Sequence, residues 1–333
     1  MFYNLFLYSF VSFFILFSIS KISYKFNLVD VPNKRKIHKK PTAYTGGLAL
    51  CLIYIFAIYL FNFSSQKIDL IFSIAFLMGV IGFIDDRYDL NIGGKLSLQI
   101  IPIIYLILME NFNLNSIGDY NYIKLELNSF SVPFTLFATL FLINSFNYFD
   151  GLNGTLSFVI ISVLGILFFL IYREHSQLFL IIILIPILLF LGFNFSIFKL
   201  PRLFLGDGGS LLLGFIISFT LIHLANQNMV HPILLAFSVS VFVYEFLSIN
   251  LVRLISNKKL FGAGRDHLHH ILYKKNKSLI LINFLISIMN IIFFIFGYLS
   301  FKFINPLASL ILFIFFFIIF FILRNTYFIK KKT

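Results

Sequence analysis

The chain has 333 residues, 60% of them hydrophobic and 12% charged, with a net charge of +13 and a mean hydropathy of +0.97. Apolar runs recur at close to the ~20 residues that a bilayer-spanning helix needs, which excludes an ordinary soluble domain. The expectation is an all-α, polytopic integral membrane protein of eleven transmembrane helices. They would form one bundle and one domain over 1–333, with no internal repeat or linker.

In chain order, the run Phe2–Ser20 has no basic residue before it, whereas Lys21 and Lys25 follow it. A cleaved signal peptide has the reverse pattern, so this reads as a retained first span with its N-terminus outside. The spans expected are 2–20, 44–63, 68–84, 96–109, 130–148, 155–172, 178–195, 203–224, 231–252, 278–300 and 304–323. The outer segment Asn111–Ser129 is short and polar and reads as a small hairpin. Alternating the loops between two sides puts 22 of the 26 cations on one side, leaving Lys67, Lys124, Arg173 and Lys302 opposite. That asymmetry marks the richer side as cytoplasmic, so the positive charge needs no nucleic acid to explain it. Cys51, the single cysteine, lies in an apolar run; it permits no intrachain disulfide and reads as a packing residue.

Of the 13 acids, Asp30, Asp85, Asp86, Asp89, Asp150, Asp207 and Asp266 fall in the basic cytoplasmic loops. Acids contribute little to orientation, so their gathering there points to function. The first loop, from Asp30 through Arg35 and His38 to Gly46-Gly47, reads either as an anchor beside anionic headgroups or as a phosphate site. Its paired glycines allow close approach of a phosphate or of another helix. The second loop, Asp85-Asp86-Arg87-Tyr88-Asp89 with Lys95 beyond, offers hard oxygen ligands suited to Mg²⁺. As a mere helix stop it would set two anions against the helix dipole.

The third, Asn147-Tyr-Phe-Asp150-Gly151 followed by Asn153-Gly154, places Asn147 and Asp150 on one helical face. The fourth has Asn194 and then Gly206-Asp207-Gly208-Gly209-Ser210; Asp207 reads equally as an N-cap and as a metal ligand at a phosphate-binding helix start. The fifth, Gly264-Arg265-Asp266-His267-Leu268-His269-His270, lacks the cysteines of a zinc site. Its Arg and His suit a pyrophosphate. Five polar, Gly-punctuated loops on one face describe a phosphate-handling site at a membrane surface, with one water-soluble and one lipid substrate.

These residues resemble the polyprenyl-phosphate N-acetylhexosamine-1-phosphate transferases. The resemblance rests on Asp30…Pro32…Arg35-Lys36…His38…Pro41…Gly46-Gly47, Asp85-Asp86, Asn147…Asp150-Gly151, Phe204-Leu205-Gly206-Asp207…Gly209-Ser210 and His267-Leu268-His269-His270. It covers nearly the whole chain. Arg265-Asp266-His267-Leu268-His269-His270 looks like the branch that uses simple UDP-N-acetylhexosamines. The peptidoglycan enzyme that takes UDP-MurNAc-pentapeptide carries a different histidine motif and is the nearest alternative. Asn153, Ala43 and Gly264 depart from residues common in relatives.

The resemblance implies transfer of an N-acetylhexosamine 1-phosphate, GlcNAc being the expected sugar, from UDP to undecaprenyl phosphate at the bacterial inner membrane. UMP would be released, with Mg²⁺ (or Mn²⁺ in its place) as cofactor; a homodimer is compatible with it. Asp85, Asp86 and Asp150 are the expected catalytic residues, and Asp207 with Asp86 the metal ligands. Asn147, Lys95, Asn194, Arg265, His267, His269, His270, His38 and Arg35 are expected to bind substrate. A rival class is an ion-coupled secondary transporter using Asp85, Asp86 and Glu245, which lies deep inside a predicted span.

Overall fold

A computed structural model describes residues 2–32, 40–63, 66–257, 260, 264 and 266–329. Arg35, His38 and Arg265 lie outside the described residues. In chain order the helices are α1 (Phe2–Lys25), α2 (Gly46–Phe61), α3 (Gln66–Tyr88), α4 (Ile92–Met109) and α5 (Ser131–Phe149). Next come α6 (Thr155–Leu170), α7 (Glu174–Asn194), α8 (Gly206–Asn226), α9 (Pro232–Ser238) and α10 (Ser240–Ile255). The last are α11 (Leu268–Lys275), α12 (Leu279–Phe303) and α13 (Pro306–Ile329). Among the described residues four short strands, β1 (Val29–Asp30), β2 (Thr42–Ala43), β3 (Ser116–Asp119) and β4 (Lys124–Glu126), form two antiparallel pairs, β1–β2 and β3–β4.

The chain is a polytopic helical membrane protein. Among the described residues eight helices are long and apolar enough to cross a bilayer, and nine if α9 and α10, bent by 74°, count as one span. The two remaining predicted spans are α2 and α6, apolar helices of 16 residues each. At 1.5 Å per residue each reaches about 24 Å, short of the ~30 Å hydrocarbon layer. The hairpin expected within Asn111–Ser129 is present as β3–β4.

The described chain divides into two units, Met1–Pro102 with Arg173–Phe219, and Ile103–Tyr172 with Thr220–Thr333. In the first, α1 and α2 pack on each other and on α7, and α3 packs on α2. Pro186 inside α7 has no N–H to give the carbonyl four residues back. Tyr8 Oη from α1 donates to that Ile182 carbonyl at 3.1 Å, and Tyr54 Oη from α2 donates to Ile183 at 3.0 Å. Two buried hydroxyls thus occupy carbonyls at the proline turn, which matters where no water competes.

The second unit is organised around α12, which packs on α6, α9, α10, α11 and α13. Breaking a span at Val239 frees backbone groups that lipid will not satisfy. Asn290 of α12 supplies partners: its Oδ1 accepts from Ser240 Oγ and Val241 N, and its Nδ2 donates to the Ser238 carbonyl at 2.8 Å.

Candidate active site

Glycines set the geometry of the first unit's polar cluster. A methyl group at Gly47 of α2 would overlap the Gly209 backbone, and one at Gly82 of α3 would overlap the Asp207 carbonyl. The two helices therefore meet the start of α8 at backbone contact, the use to which small residues are put in membrane bundles. Of the two readings open for Gly46-Gly47, this geometry carries the helix approach. The loop before α8 is tied in the same way: Gly46 N and Gly47 N donate to the Phe204 and Leu205 carbonyls at 2.9 Å each, and Phe204 N to Ala43 O at 2.7 Å. Asn194 Nδ2 donates to Leu203 O at 2.9 Å, so this buried amide holds the same loop.

Asp85 and Asp86 lie in the last turn of α3, which continues to Tyr88 and beyond the expected end of the span. Their conflict with the dipole of α3 is resolved from outside that helix. Asp86 Oδ1 accepts the Asp207 N–H at 3.0 Å and its Oδ2 the Gly208 N–H at 3.2 Å. It is thus an N-cap for α8 supplied from another helix, satisfying two orphan donors and facing the positive end of that dipole. Gly206 adopts a left-handed backbone, φ +71°, and a Cβ there would press on Asp86 Oδ2 and the Tyr44 carbonyl.

Asp85 is 8% exposed and pairs with Lys95 Nζ at 2.7 Å; its Oδ1 also accepts the Leu90 N–H at 2.9 Å. The same ammonium contacts Asp207 Oδ2, whose side chain is 32% exposed. One cation thus holds two carboxylates that converge from α3 and α8, one covered and one open. Among the described residues no three His, Cys, Asp or Glu side chains converge as a metal site. Two converging hard oxygens still fit Mg²⁺, which takes one or two carboxylates and completes its shell with water and substrate phosphates.

In the second unit the end of α5 meets the histidine segment. Asp150 caps α5, its N–H donating to the Asn147 carbonyl at 3.2 Å, and Gly151 follows. A methyl at Gly151 would overlap His269 Nε2 and touch His270. The His269 and His270 ring centroids lie 4.3 Å apart, the His267 and His269 rings stack at 5.7 Å, and Tyr148 meets His267 edge-on at 4.7 Å. His269 is fully buried, and among the described residues neither of its ring nitrogens has a hydrogen-bond partner, nor does His267 Nδ1. Burial pushes the His267 pKa down to about 3 and that of His269 well below its ordinary value, so both rings are neutral.

Burial opposes ionisation of Asp266, but the charge of Arg253 and its hydrogen bond outweigh it and hold that carboxyl below its usual range. Arg253 donates to Asp266 Oδ1 at 3.2 Å and to Tyr148 Oη at 3.1 Å.

The structure therefore brings Asp85, Asp86, Lys95 and Asp207 together in one unit, with Asn194 behind the loop that leads to Asp207. It gathers the Asn147–Gly151 turn and the three histidines in the other. The sequence reading did not single out Tyr148, Arg253 or Arg324. Glu245, the candidate ion carrier, is 1% exposed, and its Oε2 accepts from Arg324 Nε at 2.8 Å. A charge in an apolar span calls for a partner in another span, and that was the available signal for Arg324.

Residues 68–225 match the family described as "Glycosyl transferase family 4". The chain is 27% identical over 266 residues to the undecaprenyl-phosphate alpha-N-acetylglucosaminyl 1-phosphate transferase of Yersinia pestis, covering 78% of this chain and 73% of that protein. It is 27% identical to the Escherichia coli O157:H7 protein of the same name, over 78% and 72% of the two chains. A probable undecaprenyl-phosphate N-acetylglucosaminyl 1-phosphate transferase of Bacillus subtilis is 28% identical, over 76% and 71%. Over residues 68–225 the chain is similar to glycosyl transferase family 4, and over about three quarters of its length to undecaprenyl-phosphate N-acetylglucosaminyl 1-phosphate transferases. It is an enzyme, a phosphotransferase of the glycosyl-1-phosphate transferase type.

Proposed function

We propose that the enzyme transfers GlcNAc 1-phosphate from UDP-GlcNAc to undecaprenyl phosphate, giving undecaprenyl-diphosphate-GlcNAc and UMP. The lipid acceptor and the transferred group follow those in the relatives' names, and the reaction would be the first membrane step of a cell-envelope polysaccharide. The observation that carries the reading is the pair Asp85 and Asp207 converging on Lys95 at the ends of two helices. An oxygen of the lipid phosphate attacks the β-phosphorus of the UDP-sugar. The bond from that phosphorus to the bridging oxygen breaks, and UMP leaves.

Asp85 and Asp207 are the residues that would hold Mg²⁺, which when bound neutralises charge on the diphosphate as it develops. Asp86 keeps both oxygens on the α8 backbone and supports Asp207. Lys95, released from one carboxylate, is placed to take the phosphate of the lipid. A phosphate monoester has a second pKa near ~6 and is largely dianionic at neutral pH. It needs no strong base, so Asp85 serves binding more than proton abstraction. In the second unit His267, His269 and His270, with Asn147 and Asp150, are the residues assigned to the nucleotide, and Arg265 takes the same role by its place in the sequence; neutral imidazoles donate to phosphate oxygens without a proton gained from solvent. Arg35 and His38, in the first basic loop of the sequence, are assigned to substrate as well.

Purified protein in detergent is expected to release UMP from UDP-GlcNAc only when undecaprenyl phosphate and Mg²⁺ are both present. UDP-GalNAc and the 6-deoxy sugars, run in parallel, test the sugar. No UMP from any of them would remove the reading, and release from UDP-MurNAc-pentapeptide alone would replace it with the peptidoglycan reaction.

A further inference from the structure

Among the described residues neither His269 nitrogen nor His267 Nδ1 has a hydrogen-bond partner, so side-chain hydrogen bonds do not fix the His269 ring. The peptide on either side of His267 is held instead. Glu245 Oε1 accepts the Leu268 N–H at 2.7 Å, and Arg324 Nη2 donates to the Asp266 carbonyl at 2.6 Å. The two side chains also bind each other, through Nε to Oε2 at 2.8 Å and Nη2 to Oε1 at 3.4 Å. Glu245 belongs to α10 and Arg324 to α13, and both are almost wholly buried.

A buried ion pair is costly to build and is a weak source of stability by comparison with apolar packing. Here each member spends a further hydrogen bond on the main chain of one short segment, Asp266 on one side and Leu268 on the other. A pair serving stability alone has no reason to converge on the two peptides that flank a histidine.

We propose that the Glu245–Arg324 pair is the positioning element of the histidine segment, fixing His267 and the start of α11 for the nucleotide diphosphate. The inference rests on the reading that this segment binds the nucleotide. Removing the pair loosens the segment, so nucleotide affinity falls while the lipid substrate, assigned to Lys95 in the other unit, is unaffected.

The decisive variant is the double substitution Glu245→Met with Arg324→Met. It removes both charges at once and leaves no unpaired ion in the core, the kind of exchange that buried pairs tolerate. UDP binding by calorimetry and the KM values for UDP-sugar and undecaprenyl phosphate are measured beside Tm. The expected result is a rise of about tenfold or more in the UDP Kd and the UDP-sugar KM. The lipid KM should stay within about twofold, and Tm within a few degrees. A folded double variant with unchanged UDP affinity overturns the proposal. So does a uniform loss of active enzyme without a change in either KM, which is what a merely structural role gives.

Should the double variant fail to fold, Glu245→Gln keeps an acceptor for the Leu268 N–H but gives up the ion pair. Its UDP Kd is expected to rise at least about threefold, and no change again overturns the proposal. His270→Asn separates this inference from the reading beneath it. If it leaves UDP binding intact, the nucleotide assignment of the segment fails. If it weakens UDP binding and the pair variants do not, only the positioning role fails.

Discussion

Asp85 and Asp86 are neighbours of the same residue type, and helical geometry turns them about 100° apart. Asp85 meets the Lys95 ammonium, while Asp86 meets two backbone N–H groups at the start of α8. Their substitutions should therefore fail differently. Replacing an N-cap carboxylate by alanine costs about 0.5–2 kcal/mol, so Asp86→Ala should lower Tm by a few degrees in protein free of metal and substrate. Asp85→Ala removes one of two carboxylates facing a single ammonium and leaves Lys95 paired with Asp207. It should affect Tm less while lowering kcat more. Thermal melts with EDTA, beside kcat at saturating Mg²⁺, check both halves. Equal Tm losses for the two variants would show that Asp86 is not serving as the cap.

At the scale of the helix, the glycines of α2, α3 and α8 are the most sensitive positions. Gly47→Ala would set a methyl into the Gly209 backbone, where no flexible side chain can yield. Overpacking costs about 1–3 kcal/mol, and more where backbone must move. Folded yield and Tm should therefore both fall, whereas Gly165→Ala, with open space around its Cβ position, should be silent. The helices themselves were legible, because apolar runs of membrane length are a strong signal, and the eleven expected spans all coincide with helices or the bent pair. The break at Val239 was not legible: it depends on Asn290 some fifty residues away. The site was half legible in the same sense. Acid, Gly and His motifs marked the residues, but which carboxylate caps a helix and which meets a lysine is settled by how α3 and α8 cross, and periodicity carries no such information.

His231, which caps α9, ties that helix to β3. His231 Nδ1 accepts the Ile233 N–H at 3.2 Å, so the ring is the neutral tautomer whose Nε2 donates to the Asp119 carbonyl at 3.0 Å. Burial lowers its pKa from the ordinary 6.5, against the opposing pull of Asp119; the Tyr120 and Phe301 rings pack on it. A folded pKa below the unfolded one means that its stabilisation is complete above about 6.5 and is lost as pH falls through the folded value. Tm should therefore fall between pH 7.5 and 5, and His231→Asn, which does not titrate, should show a shallower fall. An unchanged slope would assign the acid sensitivity to other groups.

Over the whole molecule, two independent features bear on how the chain threads the membrane. The cation count puts 22 of 26 on one side, although two of those, Arg253 and Arg324, turn out to be buried in the second unit. The loops retain the asymmetry without them. The second feature is the 16-residue α6, about 24 Å long against a ~30 Å core. It lies between α5 and α7 in the chain, so it decides whether the β3–β4 hairpin and the α7–α8 loop face opposite sides. The native protein is suited to a labelling test, because Cys51, its one cysteine, is buried and silent. Tyr122, at the hairpin tip, and Phe198, between α7 and α8, are 82% and 95% exposed. Positive-inside orientation predicts that a membrane-impermeant maleimide labels Tyr122→Cys in intact cells. Phe198→Cys should label only after permeabilisation. Labelling of both in intact cells, or of neither, would mean that α6 does not cross. The reverse pattern would place the Asp85–Lys95–Asp207 cluster on the outer face, away from cytoplasmic UDP-sugars, and would defeat the proposed reaction along with the orientation.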